Sequence, residues 1–138
     1  MAERNDWNKK IIDEFRANQG KVGGMFAGTP ILLLHHTGAK SGKVRVNPLA
    51  YRAEGDRLVV FASKGGAPTN PDWFHNLRAN PRATVEVGTE TRDVRARVAE
   101  GEERERIWSK QKESMPGFAE YEKKTKRTIP VVILEPVR

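Results

Sequence analysis

The sequence predicts a mainly β domain whose antiparallel strands close into a small barrel, with helices flanking it. Two pairs of strand candidates are joined by short Gly-containing turns, Glu54-Gly55-Asp56 and Gly88-Thr89-Glu90, which are hairpin signals. The helical patterns fall between these hairpins rather than alternating with single strands, which argues against a doubly wound parallel fold. The chain has 138 residues with no repeat, low-complexity tract or linker, so 1–138 reads as one domain. Residues 1–20 form its N-terminal helix and 30–138 the barrel with inserted helices.

The first element is a helix over Asn5 to Gln19, where Trp7, Ile11 and Phe15 recur every four residues and Asn8 and Ile12 flank the stripe. That stripe suits docking on the barrel, a lid over a pocket, or contact with an anionic membrane surface. Gly20, Gly23, Gly24, Gly28 and Pro30 then impose a loop. Ile31 to Thr37 is apolar enough for a buried strand. Val44 to Arg52 and Arg57 to Ser63 make the first hairpin. Asn70 to Ala79 reads as a helix with Asn70 as cap and Pro71 in its first turn. Ala83 to Val87 and Thr91 to Ala99 make the second hairpin, with Val94, Ala96 and Val98 alternating against Asp93, Arg95 and Arg97. Gly101 to Glu113 is a charged helix anchored by Ile107 and Trp108, and Gly117 to Lys126 a shorter one. Ile129 to Glu135 is a last, nearly continuous apolar strand.

Composition narrows the function classes. The formal charge is +7, so an anionic partner is expected: nucleic acid, lipid headgroups or a small polyanion. Cysteine is absent, which excludes disulfides, thiolate metal sites and a cysteine nucleophile. The longest apolar run, Ile31 to Leu34, is far too short to span a bilayer, and the charged stretch Met1 to Lys10 does not read as a signal peptide. These features fit a cytoplasmic protein.

Three segments carry candidate chemistry. Thr37-Gly38-Ala39-Lys40-Ser41-Gly42-Lys43-Val44-Arg45 crowds three cations onto a small-residue turn with no acid nearby. Such a turn is a phosphate receptor or a solvated hairpin turn, and its spacing is not that of a Walker A loop. Phe61-Ala62-Ser63-Lys64-Gly65-Gly66-Ala67-Pro68 ends a strand in a loop that allows close approach to the backbone. In the helix after Pro71, Trp73, Asn76 and Asn80 share one face and Phe74 and Leu77 look like the core side.

Other chemistries find little support. His35 and His36 are adjacent on a strand, point to opposite faces and cannot jointly chelate a metal, so no metal is expected. No nucleophile elbow surrounds any serine, and no carboxylate pair clusters at strand ends. Aromatic residues are 7% of the chain and form no stacking platform, so nucleic acid is not the expected partner.

Taken in register, four blocks resemble the deazaflavin (coenzyme F420)-dependent nitroreductase family, the F420-binding branch of the split β-barrel oxidoreductases. They are Thr37 to Lys43 with Arg45, Asn47, Pro48 and Leu49; Ala62-Ser63-Lys64-Gly65-Gly66-Ala67; Asn70-Pro71, Trp73, Asn76-Leu77 and Ala79-Asn80-Pro81; and Arg127-Thr128-Ile129-Pro130-Val131. The match covers about Gly28 to Pro136. It implies an FMN-binding-like split barrel of six to seven antiparallel strands with flanking helices. It further implies that Lys40 and Arg45, supplemented by Lys43, bind the cofactor's phosphodiester and carboxylates. Asn47 and Pro48 then line the cofactor's path, Ala62, Ser63 and Lys64 flank the deazaflavin, and Trp73 and Asn76 line the groove. Ala39 replaces a basic residue often found there, an absence that Lys43 or Lys64 offsets.

For the substrate, the resemblance implicates Ala50 and the segment carrying Met115, Phe118 and Tyr121. Ala50, Met115 and Phe118 stand where nitroimidazole-activating relatives tend to carry tyrosines, which implies a more open, more apolar pocket. Ser63 and Tyr121 are the candidates for polarising the acceptor or relaying a proton. The implied activity is hydride transfer from reduced coenzyme F420 to an electron-poor acceptor: a quinone, a conjugated enone or lactone such as a coumarin, or a nitroaromatic. The alternatives are an FMN-binding split-barrel oxidoreductase, a non-catalytic cofactor-binding protein and, from another class, a nucleic-acid-binding barrel. The expected partner is a small aromatic or conjugated molecule. The protein is expected as a monomer or homodimer in the cytoplasm, with peripheral contact at the inner membrane face through the N-terminal helix as a further expectation.

Overall fold

A computed structural model describes residues 2–23, 30–63 and 69–137, with backbone only for 2–7. Six strands form a closed antiparallel barrel: β1 (Ile31–Thr37), β2 (Val44–Glu54), β3 (Arg57–Phe61), β4 (Arg82–Val87), β5 (Glu90–Val98) and β6 (Val131–Pro136). Their order around the barrel is β1-β2-β3-β6-β5-β4, and β4 pairs back onto β1. Four helices flank it: α1 (Ala2–Ala17), α2 (Asp72–Ala79), α3 (Gly101–Ser114) and α4 (Gly117–Lys124). The strand count is the lower of the two expected, and closure leaves no free sheet edge to aggregate.

The hydrophobic pattern of each strand reports how many of its faces are covered. In β1, Leu32 and Leu34 point into the barrel, while Ile31 and Leu33 lie under Ile11 and Phe15 of α1. In β3 and β6, Leu58, Val60, Val132 and Leu134 fill the interior. Val59, Phe61, Val131 and Ile133 lie outside, beneath Ile107 and Trp108 of α3 and Phe118 of α4. These three strands are buried on both sides and read as unbroken apolar runs. β5 has one covered side and alternates, with Val94 buried between exposed Asp93 and Arg95. Val98 keeps the face of Val94 and Ala96 but is 40% exposed, in a shallow groove at the end of the strand beside Phe74, Leu77 and Pro81.

The N-terminal helix docks on the barrel. Ile11 and Phe15 are buried with Val22, Ile31 and Leu33, and Arg16 bonds Glu86 of β4 at 2.7 Å. The side chain of Trp7 lies outside the described set. Beyond the helix, Gly20 has φ +93, and a Cβ there would stand 2.6 Å from the Cα of Gly88 in the β4–β5 turn. Only glycine tolerates both that conformation and that approach. No described helix is long and apolar enough to cross a membrane.

The α2 helix packs against the barrel residues at one end, and this corrects two expectations. Trp73 and Asn76 are buried along with Phe74 and Leu77, so both faces of this short helix are covered. Asn70 does not cap it: Pro71 occupies the cap position, and Asn70 Oδ1 accepts a bond from Arg127 instead.

Candidate functional site

The β1–β2 connection holds the cationic turn. Gly38 N–H donates to Lys43 O at 2.8 Å, Gly42 N–H to Gly38 O at 3.0 Å and Lys43 N–H to Ser41 Oγ at 3.2 Å. Gly42 has φ +70, the left-handed conformation that glycine adopts without strain. Lys40, Lys43 and Arg45 are exposed, and among the described residues none is in an ion pair. The chain's other arginines mostly have carboxylate partners, as Arg97 and Arg57 do in Glu103. Those two guanidiniums hold the Glu103 carboxyl down at about 2. The turn therefore gathers three cations without carboxylate partners into one short segment.

Behind the turn lies a buried polar chain. Asn76 Oδ1 accepts the Ala39 N–H at 2.9 Å, and Asn76 Nδ2 meets His36 Nδ1 at 3.0 Å. His36 Nε2 meets Asn47 Oδ1 at 2.7 Å. Asn80 Nδ2 reaches Thr37 O at 3.5 Å. The α2 helix thus grips the turn from one side, and Asn47 of β2 joins it through a histidine. Burial, with Arg45 nearby, pushes His36 below the usual histidine value against the opposing bond to Asn47. Asn47 and Asn76, read from sequence as cofactor-groove residues, are engaged here with each other's neighbours. Pro48 follows on β2, opposite Leu33.

A second constellation sits where β3 leaves the barrel. Ala62 and Ser63 are buried. Arg127 fixes their backbone: Nη1 donates to Ala62 O at 3.1 Å and to Asn70 Oδ1 at 2.7 Å, and Nη2 donates to Ser63 O at 2.9 Å. One rigid guanidinium thereby joins the β3 exit, the approach to α2 and the segment before β6. Burial lowers the Arg127 pKa from the ordinary arginine value. Lys64 to Pro68 lie outside the described residues, so the cation expected at Lys64 has no described position.

An aromatic ladder runs outward from the same strand. Phe61 meets Phe118 at a tilt, 5.4 Å between ring centroids, Phe118 meets Tyr121 edge-on at 5.4 Å, and Trp108 closes the cluster. Phe118 is buried in this core, while Met115 and Tyr121 are half-buried at its margin. Gln111 Nε2 donates to Met115 Sδ at 3.3 Å. Ala50 packs instead in the cluster beneath α1. Two residues along, Arg52 donates to Ser114 Oγ at 3.1 Å, so the outer face of β2 runs from α1 to the end of α3. A cleft of about 250 Å³ opens at the foot of the cationic turn, at His35, Thr37, Val44 and Thr84, and none of the predicted cofactor or substrate residues lines it.

The structure therefore brings the predicted residues together in groups: Lys40, Lys43, Arg45, Asn47 and Asn76 at the turn; Ala62 and Ser63 at the β3 exit; Met115, Phe118 and Tyr121 beside Phe61. Trp73 belongs to the barrel core and buttresses α2. Two residues stood out less in the sequence than they do here. His36 links Asn47 to Asn76, a role that neither motif signals locally because the three residues lie on different elements. Arg127 sat in a recognised block with no role attached.

A family match, a relative and two solved structures agree. Residues 7–136 match the family described as F420H(2)-dependent quinone reductase. A protein of Mycobacterium tuberculosis named F420H(2)-dependent quinone reductase is 38% identical over 124 residues, covering 87% of this chain and 83% of its own. A solved structure described as an F420-H2 dependent reductase is 48% identical with a TM-score of 0.71, covering 77% of this chain and 94% of the other. Another, described as a domain-swapped dimer, is 42% identical with a TM-score of 0.73 and covers 96% of this chain and 99% of its own.

Proposed function

The chain belongs to the F420H2-dependent quinone reductase family, and from that membership we propose that it reduces a quinone with reduced coenzyme F420. It is an oxidoreductase, and its cofactor is reduced coenzyme F420. When bound, that cofactor would supply the hydride, so the redox chemistry would be the cofactor's and the chain's residues would orient the acceptor and donate to its oxygen. The observation that carries the site assignment is the turn with Lys40, Lys43 and Arg45, which lack carboxylate partners among the described residues. Its cations match a tail of one phosphodiester and several carboxylates, which such groups bind by charge-assisted hydrogen bonds.

The remaining residues divide the work of holding and orienting. Lys40, Lys43 and Arg45 hold the anionic tail. Asn76 and Asn47, through His36, keep their turn in place, while Trp73 buttresses α2 from the barrel core and Pro48 sits opposite Leu33 of β1. The buried Ala62–Ser63 backbone, pinned by Arg127, offers a fixed edge to the ring system, with Lys64 as a further cation. Ser63 Oγ and the Tyr121 hydroxyl are the donors toward a carbonyl oxygen that gains charge during reduction. Met115 and Tyr121, half-buried beside the Phe118 ladder, offer an apolar margin suited to flat conjugated acceptors, whereas Ala50 lies apart from them beneath α1. Enones, coumarin-type lactones and nitroaromatics fit the same requirement as quinones. The relative described as a domain-swapped dimer supports a homodimer. A cytoplasmic location suits the cofactor and the absence of cysteine.

The test is direct. Protein, reduced F420 and a naphthoquinone are mixed, and cofactor reoxidation is followed optically. A saturable, protein-dependent rate is expected. A protein that binds FMN in preference to F420, or gives no rate with any quinone, overturns the reading.

A further inference from the structure

The buried chain from Ala39 to Asn47 admits one arrangement of protons. A backbone N–H only donates, so the Ala39 N–H fixes Asn76 Oδ1 on its own side, at 2.9 Å. Nδ2 is then turned to His36 Nδ1, at 3.0 Å. An amide nitrogen only donates, so Nδ1 must offer a lone pair. The ring proton lies on Nε2, where it donates to Asn47 Oδ1 at 2.7 Å. His36 is 2% exposed, which leaves no room for water to replace a lost bond.

Resting on the cofactor reading above, we propose that His36 is a positioning residue: as a neutral imidazole it holds Asn76 in the orientation that anchors the Lys40–Lys43 turn for the cofactor's anionic tail, and its protonation releases that turn. A proton on Nδ1 faces the Asn76 amide hydrogens. Rotating Asn76 to bring Oδ1 to the ring sets its NH2 against the Ala39 N–H. Either way two donors confront each other in a buried place, and the turn loses its Asn76 tie to α2, which leaves only the long Asn80–Thr37 contact among the described residues. The charged groups around the ring divide: Arg45, opposite His36 on β2, and His35 beside it on β1 resist a second positive charge, whereas Asp72 on α2 favours it. Burial adds to the resistance, so the neutral form prevails near neutrality.

Two measurements test this. In isotope-labelled, cofactor-free protein, the His36 ring nitrogens and the Ala39 amide are followed by NMR from about pH 8 to about pH 5. The Nε2–H tautomer is expected at the alkaline end, and the Ala39 signal is expected to move with the His36 midpoint. An Ala39 amide that stays still while His36 protonates, or an Nδ1–H tautomer, overturns the proposal. The second measurement is the Kd for F420 across the same range in the native protein and in His36→Gln, which keeps an acceptor and a donor but does not titrate. The native protein is expected to lose roughly fivefold in affinity through the His36 step, the equivalent of about one hydrogen bond. His36→Gln loses clearly less, and titrations of the cofactor itself are common to both. Equal losses overturn the positioning role. A native protein that binds no F420 at any pH overturns the cofactor reading instead, while the NMR result still decides whether His36 governs the turn.

Discussion

Nδ2 of Asn76 stands 3.0 Å from Nδ1 of His36, and both side chains are buried. The contact has a thermodynamic consequence apart from any ligand. His36 binds its proton less readily in the folded state than in the unfolded chain. Above the ordinary histidine value of about 6.5 neither state is protonated and the contact costs nothing. Below it the unfolded chain takes up a proton that the native fold refuses, so stability falls with pH until the lowered native value is reached. The slope is at most about 1.4 kcal/mol per pH unit for one proton. The midpoint of thermal unfolding is expected to fall through this window in the native protein. In His36→Gln the decline should begin only in the carboxylate range, where groups such as Glu86, held low chiefly by its bond to Arg16, become protonated.

The unpaired cations of the turn make a second expectation. Arg45→Ala and Lys40→Ala should each weaken F420 binding by roughly tenfold, about 1.4 kcal/mol, with little change in thermal stability because neither side chain is buried. The effect should shrink as salt rises, since exposed charges are screened over about 10 Å at 0.1 M. Titration calorimetry at two ionic strengths checks both points. Unchanged affinity in both variants removes the turn from the binding site.

How much of this was legible in the sequence depends on whether the signal was local. The strands were, because β1, β3 and β6 are covered on both sides and read as apolar runs, while turns at Gly55 and Gly88 mark the hairpins. The cationic turn was equally plain, being nine consecutive residues. What stayed hidden joins distant parts of the chain: Arg127 to Ala62 and Ser63, Asn76 to His36 and Ala39. Spacing within one element cannot show such pairs. The same limit explains α2, whose Trp73 and Asn76 face was read as a groove lining because nothing local says that the barrel covers it. Ala50 also needed the fold, since only docking of α1 places it in that cluster.

Phe15 of α1 is 1% exposed where the helix meets β1, so Phe15→Ala should cost about 3–5 kcal/mol of stability. A helix serving only as a membrane anchor predicts almost no loss in solution. Denaturant unfolding of the purified variant distinguishes the two. Arg16→Ala, whose ion pair is half exposed, should cost no more than about 1 kcal/mol.

Among the described residues Arg127 joins three acceptors on two segments, which a lysine cannot copy. Arg127→Lys keeps the charge and loses the planar fork, leaving buried carbonyls of Ala62 and Ser63 without donors. A destabilisation of about 1–3 kcal/mol is expected, with changed amide signals at Ala62 and Ser63. Native-like stability in this variant means that the guanidinium is not what holds the β3 exit.

Tyr121 offers a way to separate binding from chemistry. Its ring is fixed edge-on against Phe118, and the Phe118 ring rests on Phe61, so Tyr121→Phe leaves the packing in place and removes only the hydroxyl. If that hydroxyl donates to the acceptor oxygen as negative charge grows there, its loss should lower kcat by roughly tenfold to a hundredfold, with the F420 Kd unchanged. Ser63→Ala should act on the same parameter, because its hydroxyl lies at the pinned β3 exit rather than at the cationic turn. Steady-state rates with one quinone, together with a cofactor titration, read both variants. A raised KM at unchanged kcat would mean that the hydroxyl helps to hold the acceptor without stabilising the transition state. A full rate in both variants would leave orientation as the protein's whole contribution to the transfer.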